Sequence, residues 1–251
     1  MHPIVTELFD VEKRRQIQQR TPEWYERRKT LITASDAAAA LGIKPYASYP
    51  GDPRFDALKK KIGGDRFRGN MFTAHGVRYE DEARRLISEA LGDVIFDVGL
   101  FVHADLDWLG ASPDGITASG MAVEIKCPMM RKPRPGHVPE HYWPQIQVAM
   151  EVTGLSSCLW VEYVPSELDS STHRRHLLTA HVVERDRAWF ARHRDALQSF
   201  HRECTQGIER RRMSDTARSP LEPESAAAAA ASAAAASTIP CEIVDDIYDN
   251  L

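Results

Sequence analysis

Cysteine is scarce and scattered. The chain has four, Cys127, Cys158, Cys204 and Cys241, and no two form a CxxC pair. That excludes a zinc knuckle, an iron–sulfur cluster site and a disulfide framework, and it points to a reducing cytoplasm. Long apolar runs are also missing. No window approaches the roughly 18 apolar residues of a membrane span. Met1 to Arg20 carries charges throughout and has no apolar signal core, so export by that route is not expected. Strong charge of one sign is absent too: 32 Lys+Arg stand against 36 Asp+Glu, a net charge of −4 over 251 residues.

What is present is ordinary for a globular protein, with 43% hydrophobic and 27% charged residues. The small net charge conceals an asymmetry. Ser214 to Leu251 carries seven acidic residues against Arg218 alone, a net of −6, which leaves +2 on Met1 to Met213. Within this segment, Ala226 to Ser237 holds ten Ala and two Ser. The expected organisation is therefore a folded body over 1–213 and an Ala-rich, acidic tail over 214–251. The end of the tail mixes acids with Ile239, Ile243, Val244, Ile247, Tyr248 and Leu251. Such a segment is either a solvated end or a short docking arm. The body carries basic clusters at Arg27-Arg28-Lys29, Lys59-Lys60-Lys61, Arg66/Arg68, Arg131-Lys132/Arg134 and Arg210-Arg211-Arg212. Together they suit a phosphate-rich ligand.

The body alternates helical and extended patterns. Thr21-Pro22 opens a short helix ending near Lys29, and Thr33 or Ser35 caps a second that ends at Gly42. A short helix is expected near Arg54–Lys61. A long one follows from about Met71 to Leu91, with Tyr79, Ala83, Leu86, Ile87, Ala90 and Leu91 recurring at three- and four-residue spacing. The period then shortens. Val94–Phe96, Leu100–His103, Trp108–Ser112 and Ala122–Cys127 read as strands, as do Cys158–Val164 and Leu177–Val183. A helix near Pro144–Val152 and a last one over about Arg185–Cys204 complete a mixed α/β fold, a mixed sheet flanked by helices.

The chemistry concentrates in Ser112-Pro113-Asp114-Gly115 and Val123-Glu124-Ile125-Lys126. Strand alternation puts Glu124 and Lys126 on one face and Val123 and Ile125 on the other. Asp114, in the turn after the preceding strand, can lie beside Glu124. Two adjacent carboxylates repel unless a cation intervenes, and Mg²⁺ takes one or two carboxylates plus waters and phosphate oxygens. The Ile125 carbonyl is a further candidate ligand, and Lys126 is placed to orient or deprotonate a water at the metal. Glu80 falls on the apolar stripe of the long helix, where a carboxylate calls for a partner or a metal. Gly76, one turn earlier, leaves room for close approach. Gln145 shares a stripe with Ala149 and Val152 and can hold a water or phosphate.

These residues resemble the core of the PD-(D/E)xK nucleases. The ordered set Trp24-Tyr25-Glu26-Arg27-Arg28, Ile32-Thr33-Ala34-Ser35, Gly76-Val77-Arg78-Tyr79-Glu80, Ser112-Pro113-Asp114-Gly115, Glu124-Ile125-Lys126-Cys127-Pro128 and Tyr142 through Gln147 to Gly154 resembles the phage lambda exonuclease family. These proteins are also called YqaJ-type viral recombinases or alkaline exonucleases. The resemblance implies a restriction-endonuclease-like core and a Mg²⁺-dependent 5′→3′ exonuclease, with Mn²⁺ able to substitute. Such an enzyme acts on linear duplex DNA, leaves a 3′ single strand, and works as a homotrimeric ring with a single-strand annealing partner in a phage-infected bacterial cytoplasm. It assigns Asp114 and Glu124 as metal ligands, Lys126 to the water, Glu80 to the metal or water shell and Gln145 to their support. It gives Arg28, Ser35 and Ser112 to the terminal 5′-phosphate, together with Arg131 or Lys132. Thr30 replaces a glycine usual in the family. The strand-parting apolar wedge aligns near polar Thr73, leaving Met71 or Phe72 to substitute. An endonuclease or repair nuclease of the same fold is the alternative.

Overall fold

A computed structural model describes residues 1–10, 17–63, 70–166 and 176–218. The Arg66/Arg68 cluster, the Ala-rich run and the acidic–apolar end of the chain lie outside the described residues. Seven α-helices and eight strands are described. The helices are α1 (Pro3–Leu8), α2 (Pro22–Lys29), α3 (Ala37–Ala40), α4 (Pro53–Gly63), α5 (Met71–Leu91), α6 (Trp143–Thr153) and α7 (Arg187–Arg218). The strands are β1 (Ile32–Thr33), β2 (Ile95–Phe96), β3 (Phe101–Val102), β4 (Leu109–Ala111), β5 (Gly115–Thr117), β6 (Ala122–Lys126), β7 (Ser157–Val164) and β8 (Leu177–Glu184). Among the described residues, no helix is long and apolar enough to cross a membrane.

The strands form two sheets. A mixed five-stranded sheet runs β2-β5-β6-β7-β8, parallel between β6 and β7 and antiparallel elsewhere. A smaller sheet runs β1-β4-β3. Both faces of the large sheet are covered. Val123, Ile125, Leu159 and Val161 meet Tyr79, Ala83 and Ile87 of α5. Ala122, Cys158 and Trp160 point the other way, into the main core with Ile146, Ala149 and Met150 of α6 and Leu197 and Phe200 of α7. Glu124, on that second face between Ala122 and Lys126, is therefore inside the protein and 2% exposed.

The long helix α5 starts where Asn70 accepts a hydrogen bond from Thr73 N (2.9 Å) and stops where Gly92 turns left-handed at φ 64°. Helix α1 and strand β1 were not expected, and three further elements differ from the sequence expectation. The chain after Asp114 forms its own strand, β5, and it is β5, not the earlier β4, that pairs with β6. At three residues it is too short to show a period. A 3₁₀ turn, Ala34–Asp36, precedes α3, so the expected second helix is split. The last helix runs on to Arg218 instead of ending near Cys204. It passes straight through Gly207, where the absence of a Cβ admits Ile62 of α4; an added Cβ would lie 2.2 Å from Ile62 Cδ1.

Gly115 positions the chemistry. A Cβ there would lie 2.5 Å from Ile95 Cγ2 and 3.1 Å from the Phe96 carbonyl oxygen. Gly115→Ala should therefore push β5 off β2, lower stability by about 1–3 kcal/mol in urea unfolding, and displace the adjacent Asp114.

Candidate active site

One cleft of about 1380 Å³ gathers most of the residues singled out in the sequence. Arg28, Ser35, Glu80, Asp114, Ile125, Lys126, Arg131 and Gln145 all line it, as do Gly76, Phe72 and Thr73. Its floor is the end of β6. There the Asp114 carboxylate reaches across the hairpin and accepts from Ile125 N–H (2.7 Å), while Asp114 N–H donates to Val123 O (2.9 Å). Glu124 sits just beneath this floor. One of its oxygens, Oε1, accepts from both the Lys126 ammonium and the Gln145 amide. The Lys126 ammonium also lies 5.2 Å from the centre of the Tyr142 ring.

Glu80 enters from α5 and is held by two guanidinium groups, Arg20 (2.5 Å) and Arg84 (2.8 Å). Arg84 in turn donates through Nε to the Asp114 carbonyl (2.9 Å), so one side chain ties Glu80 to the strand that bears Asp114. The floor holds more negative charge than Lys126 neutralises. Burial pushes Glu124 up to about 7; Lys126 opposes this, and Asp114 and Glu80 add to it. Glu80 is raised by burial and by Asp114, against Arg20 and Arg84. Burial alone would lower Lys126, but Glu124 and Asp114 outweigh it and hold the ammonium charged, above its ordinary range. Hard carboxylate oxygens left short of positive charge suit a divalent cation such as Mg²⁺. Among the described residues, no three His, Cys, Asp or Glu side chains form a cage for a metal on their own.

At the other end of the cleft, Arg28 donates to Ser35 Oγ (2.8 Å) and stacks 4.2 Å from the centre of the Trp24 ring. Trp24 Nε1 donates to Ser112 Oγ (2.9 Å), so the three residues expected at a terminal phosphate are joined through one indole. Asp36 supports them. It accepts from Thr33 N and Thr33 Oγ1 and pairs with Lys61 Nζ (2.8 Å). Burial alone would raise Asp36, yet Lys61 and Arg28 hold it below the usual carboxylate range. Lys61 also donates to the carbonyls of Arg28 and Leu31, which pins the end of α2. Arg131 lines the cleft and forms an ion pair with buried Glu162, without hydrogen-bond geometry. Lys132 is exposed and is not among the lining residues. His141 beside them is pushed down to about 4 by burial, Arg131 and Lys126, and so is neutral. Cys127 is pushed up to about 12, chiefly by burial, and stays a thiol.

Sequence reasoning missed Arg20, Arg84 and Asp36, and named Lys61 only within a basic cluster. Arg84 carried a local signal, four residues after Glu80 on one helix face, and so did Asp36, three residues after Thr33 in a capping box. Arg20 meets Glu80 through the fold.

A family model for the YqaJ-like viral recombinase domain matches residues 23–156. The chain is similar to an uncharacterised protein of Acanthamoeba polyphaga mimivirus, 28% identical over 182 residues that cover 66% of this chain and 32% of that protein. It is also similar to a protein of African swine fever virus, 27% identical over 180 residues covering 58% of this chain and 49% of the other. It therefore spans between a third and a half of the length of these viral relatives. Among solved structures it is similar to the alkaline exonuclease LHK-Exo of Laribacter hongkongensis, at 26% identity and TM-score 0.60 over 79% of this chain and 100% of that one. The same protein in complex with dAMP gives a TM-score of 0.61 at the same identity and coverage. A phage related exonuclease of Haemophilus somnus shares the fold, at 15% identity and TM-score 0.50, over 74% of this chain and 96% of that one.

The charge imbalance at Glu124 has a measurable consequence. Its folded-state affinity for a proton is raised, so without a cation its contribution to stability falls as pH rises from about 4.5 through about 7. Thermal unfolding across that range should show the loss, and added Mg²⁺ should recover it at pH 8. In Glu124→Gln both the loss and the recovery should shrink.

Proposed function

The chain belongs to the YqaJ-like viral recombinase family, and on that premise we propose that it is a Mg²⁺-dependent 5′→3′ exonuclease of linear duplex DNA. It prepares 3′ single strands for recombination by annealing. The observation that carries this reading is the continuity of one cleft from Arg28 and Ser35 to Asp114 and Lys126, with Ser112 held by Trp24 at one end and Glu124 beneath the floor at the other. An anion pocket at a fixed distance from a hydrolytic centre suits an enzyme that measures from a strand end. The solved exonuclease with dAMP, a nucleoside monophosphate of the kind such cleavage releases, supports the same reading.

A divalent cation held by Asp114 and Glu124, with the Ile125 carbonyl as a further ligand, supplies Lewis-acid polarisation and a more acidic water. The side chains do the rest. Lys126, held as an ammonium, donates to the attacking water and aims it at phosphorus. Gln145 fixes the Glu124 carboxylate from α6, and Glu80 faces the same floor from α5. Arg28, stacked on Trp24, offers its planar donors to the terminal 5′-phosphate, and Ser35 and Ser112 offer hydroxyls. Arg131 is the basic residue of the later motif that lines the cleft. Water adds at phosphorus and the 3′-oxygen leaves. The released nucleotide carries a 3′-hydroxyl, and the shortened strand carries a new 5′-phosphate that fits the Arg28 pocket for the next round. A homotrimeric ring around the duplex and an annealing protein that receives the strand complete the proposal. An endonuclease of the same fold remains the second reading, and substrate topology separates the two.

The test is end-labelled linear duplex against closed circular duplex, with Mg²⁺ and with chelator. Digestion of the linear form alone, from its 5′ ends and blocked by chelator, is the expected result. Cutting of the circle supports the endonuclease instead. Asp114→Asn and Lys126→Ala should each cut turnover by about 10²–10⁴-fold while duplex binding persists. Replacing the 5′-phosphate by a hydroxyl should slow initiation about tenfold or more in the wild type and have little effect in Arg28→Ala.

A further inference from the structure

Arg20 has an unusual backbone. Among the described residues it is the one non-glycine residue with positive φ, at 65°. A side chain in that left-handed region costs free energy, and such positions cluster where function requires them. The segment that carries Arg20 is tied down on both sides. Gln19 donates to the carbonyls of Val98 (2.8 Å) and Pro113 (2.9 Å), the latter next to Asp114. Leu100 N–H donates to Ile17 O (2.8 Å), and Thr21 Oγ1 donates to Gln18 O (2.8 Å). The turn is thus fixed against the strand that leads into the catalytic aspartate, and its strained residue is the one that reaches the floor.

The Arg20 side chain lines the cleft and is 45% exposed. It spends one nitrogen on Glu80 Oε2. Arg84 already neutralises the other Glu80 oxygen, so Glu80 has a cation without Arg20. A guanidinium has five N–H donors in a planar fork, and one carboxylate contact leaves most of them for a second anion. Arg28 serves the distal pocket, Arg131 is paired with Glu162, and Lys126 donates to Glu124.

We propose that Arg20 is a catalytic residue that donates to a non-bridging oxygen of the phosphodiester under attack, with Glu80 holding its guanidinium in place. The proposal rests on the nuclease reading above. Negative charge on the non-bridging oxygens must be matched as water adds and the 3′-oxygen departs, and donors placed there in advance lower the barrier. The left-handed turn is the means of delivery: it carries the side chain from a strap on the strand side over to the α5 side of the floor.

Arg20→Gly and Arg20→Lys test this in the full-length protein. Glycine accepts the positive φ without strain, so Arg20→Gly should keep its unfolding midpoint and should bind duplex within about twofold of wild type. Single-turnover cleavage of 5′-phosphorylated linear duplex should fall by about 10- to 100-fold in Arg20→Gly and by less in Arg20→Lys. The preference for a 5′-phosphate over a hydroxyl should be unchanged, because Arg28 is intact. Substrates with a single phosphorothioate of defined stereochemistry at the first linkage supply the decisive readout. The wild type should discriminate between the two isomers, and Arg20→Gly should lose part of that discrimination. A cleavage rate within about twofold of wild type overturns the proposal. So does a slower rate with unaltered stereochemical discrimination, which reduces Arg20 to a positioning residue for Glu80. A wild-type protein that cleaves no DNA overturns the nuclease reading itself, and this assignment with it.

Discussion

Glu124 is a carboxylate enclosed on a sheet face that packs into the main core, and the surrounding structure answers to that fact. Water cannot solvate it, so protein groups must. Lys126 and Gln145 converge on one oxygen from the strand and from α6, and Asp114 and Glu80 crowd the same region with like charge. Burying unmatched charge is among the most costly things a fold can do. Here Lys126 matches Glu124, and Arg20 and Arg84 match Glu80; the proposed divalent cation would add to these partners.

The parallel pairing of β6 with β7 makes this arrangement possible. It requires a crossover, and the crossover contains α6, which brings Gln145 over the end of β6. The antiparallel hairpin from β5 brings Asp114 to the same end from the other side. Helix α5 lies across the opposite face with Tyr79, Ala83 and Ile87 buried, so Glu80, beside Tyr79, arrives at the rim. Four chain segments therefore meet at one strand terminus, which is where open α/β sheets place their ligands.

Much of this was readable in the sequence, for identifiable reasons. The long helix declared itself by its period and by Gly92, and β6 by its alternation. The Asp114–Glu124–Lys126 spacing survived as geometry because a tight hairpin preserves sequence proximity. Short elements were silent: β1 has two residues and β5 three, too few for any pattern. Helix α7 was expected to end near Cys204; it runs on through Gly207, which is a packing notch for Ile62. Alternation put Glu124 on the face opposite Val123 and Ile125 without showing that this face too is covered, which leaves Glu124 2% exposed. Arg20 could not be found, and Lys61 was visible only as part of a basic cluster, since Glu80 and Asp36, which they meet, lie far away in the chain.

The extended reach of α7 separates two tasks mechanically. Arg54 and Arg211 link α4 and α7, through Glu203 and through the carbonyls at the end of α4, and Lys61 of α4 anchors the helix that bears Arg28. The hydrolytic floor draws its support from the five-stranded sheet and from α5 and α6. The two ends of the cleft thus hang from different parts of one scaffold. Inheritance can alter the Arg28 end, through the seam between two helices, while the Asp114–Lys126 floor stays as it was.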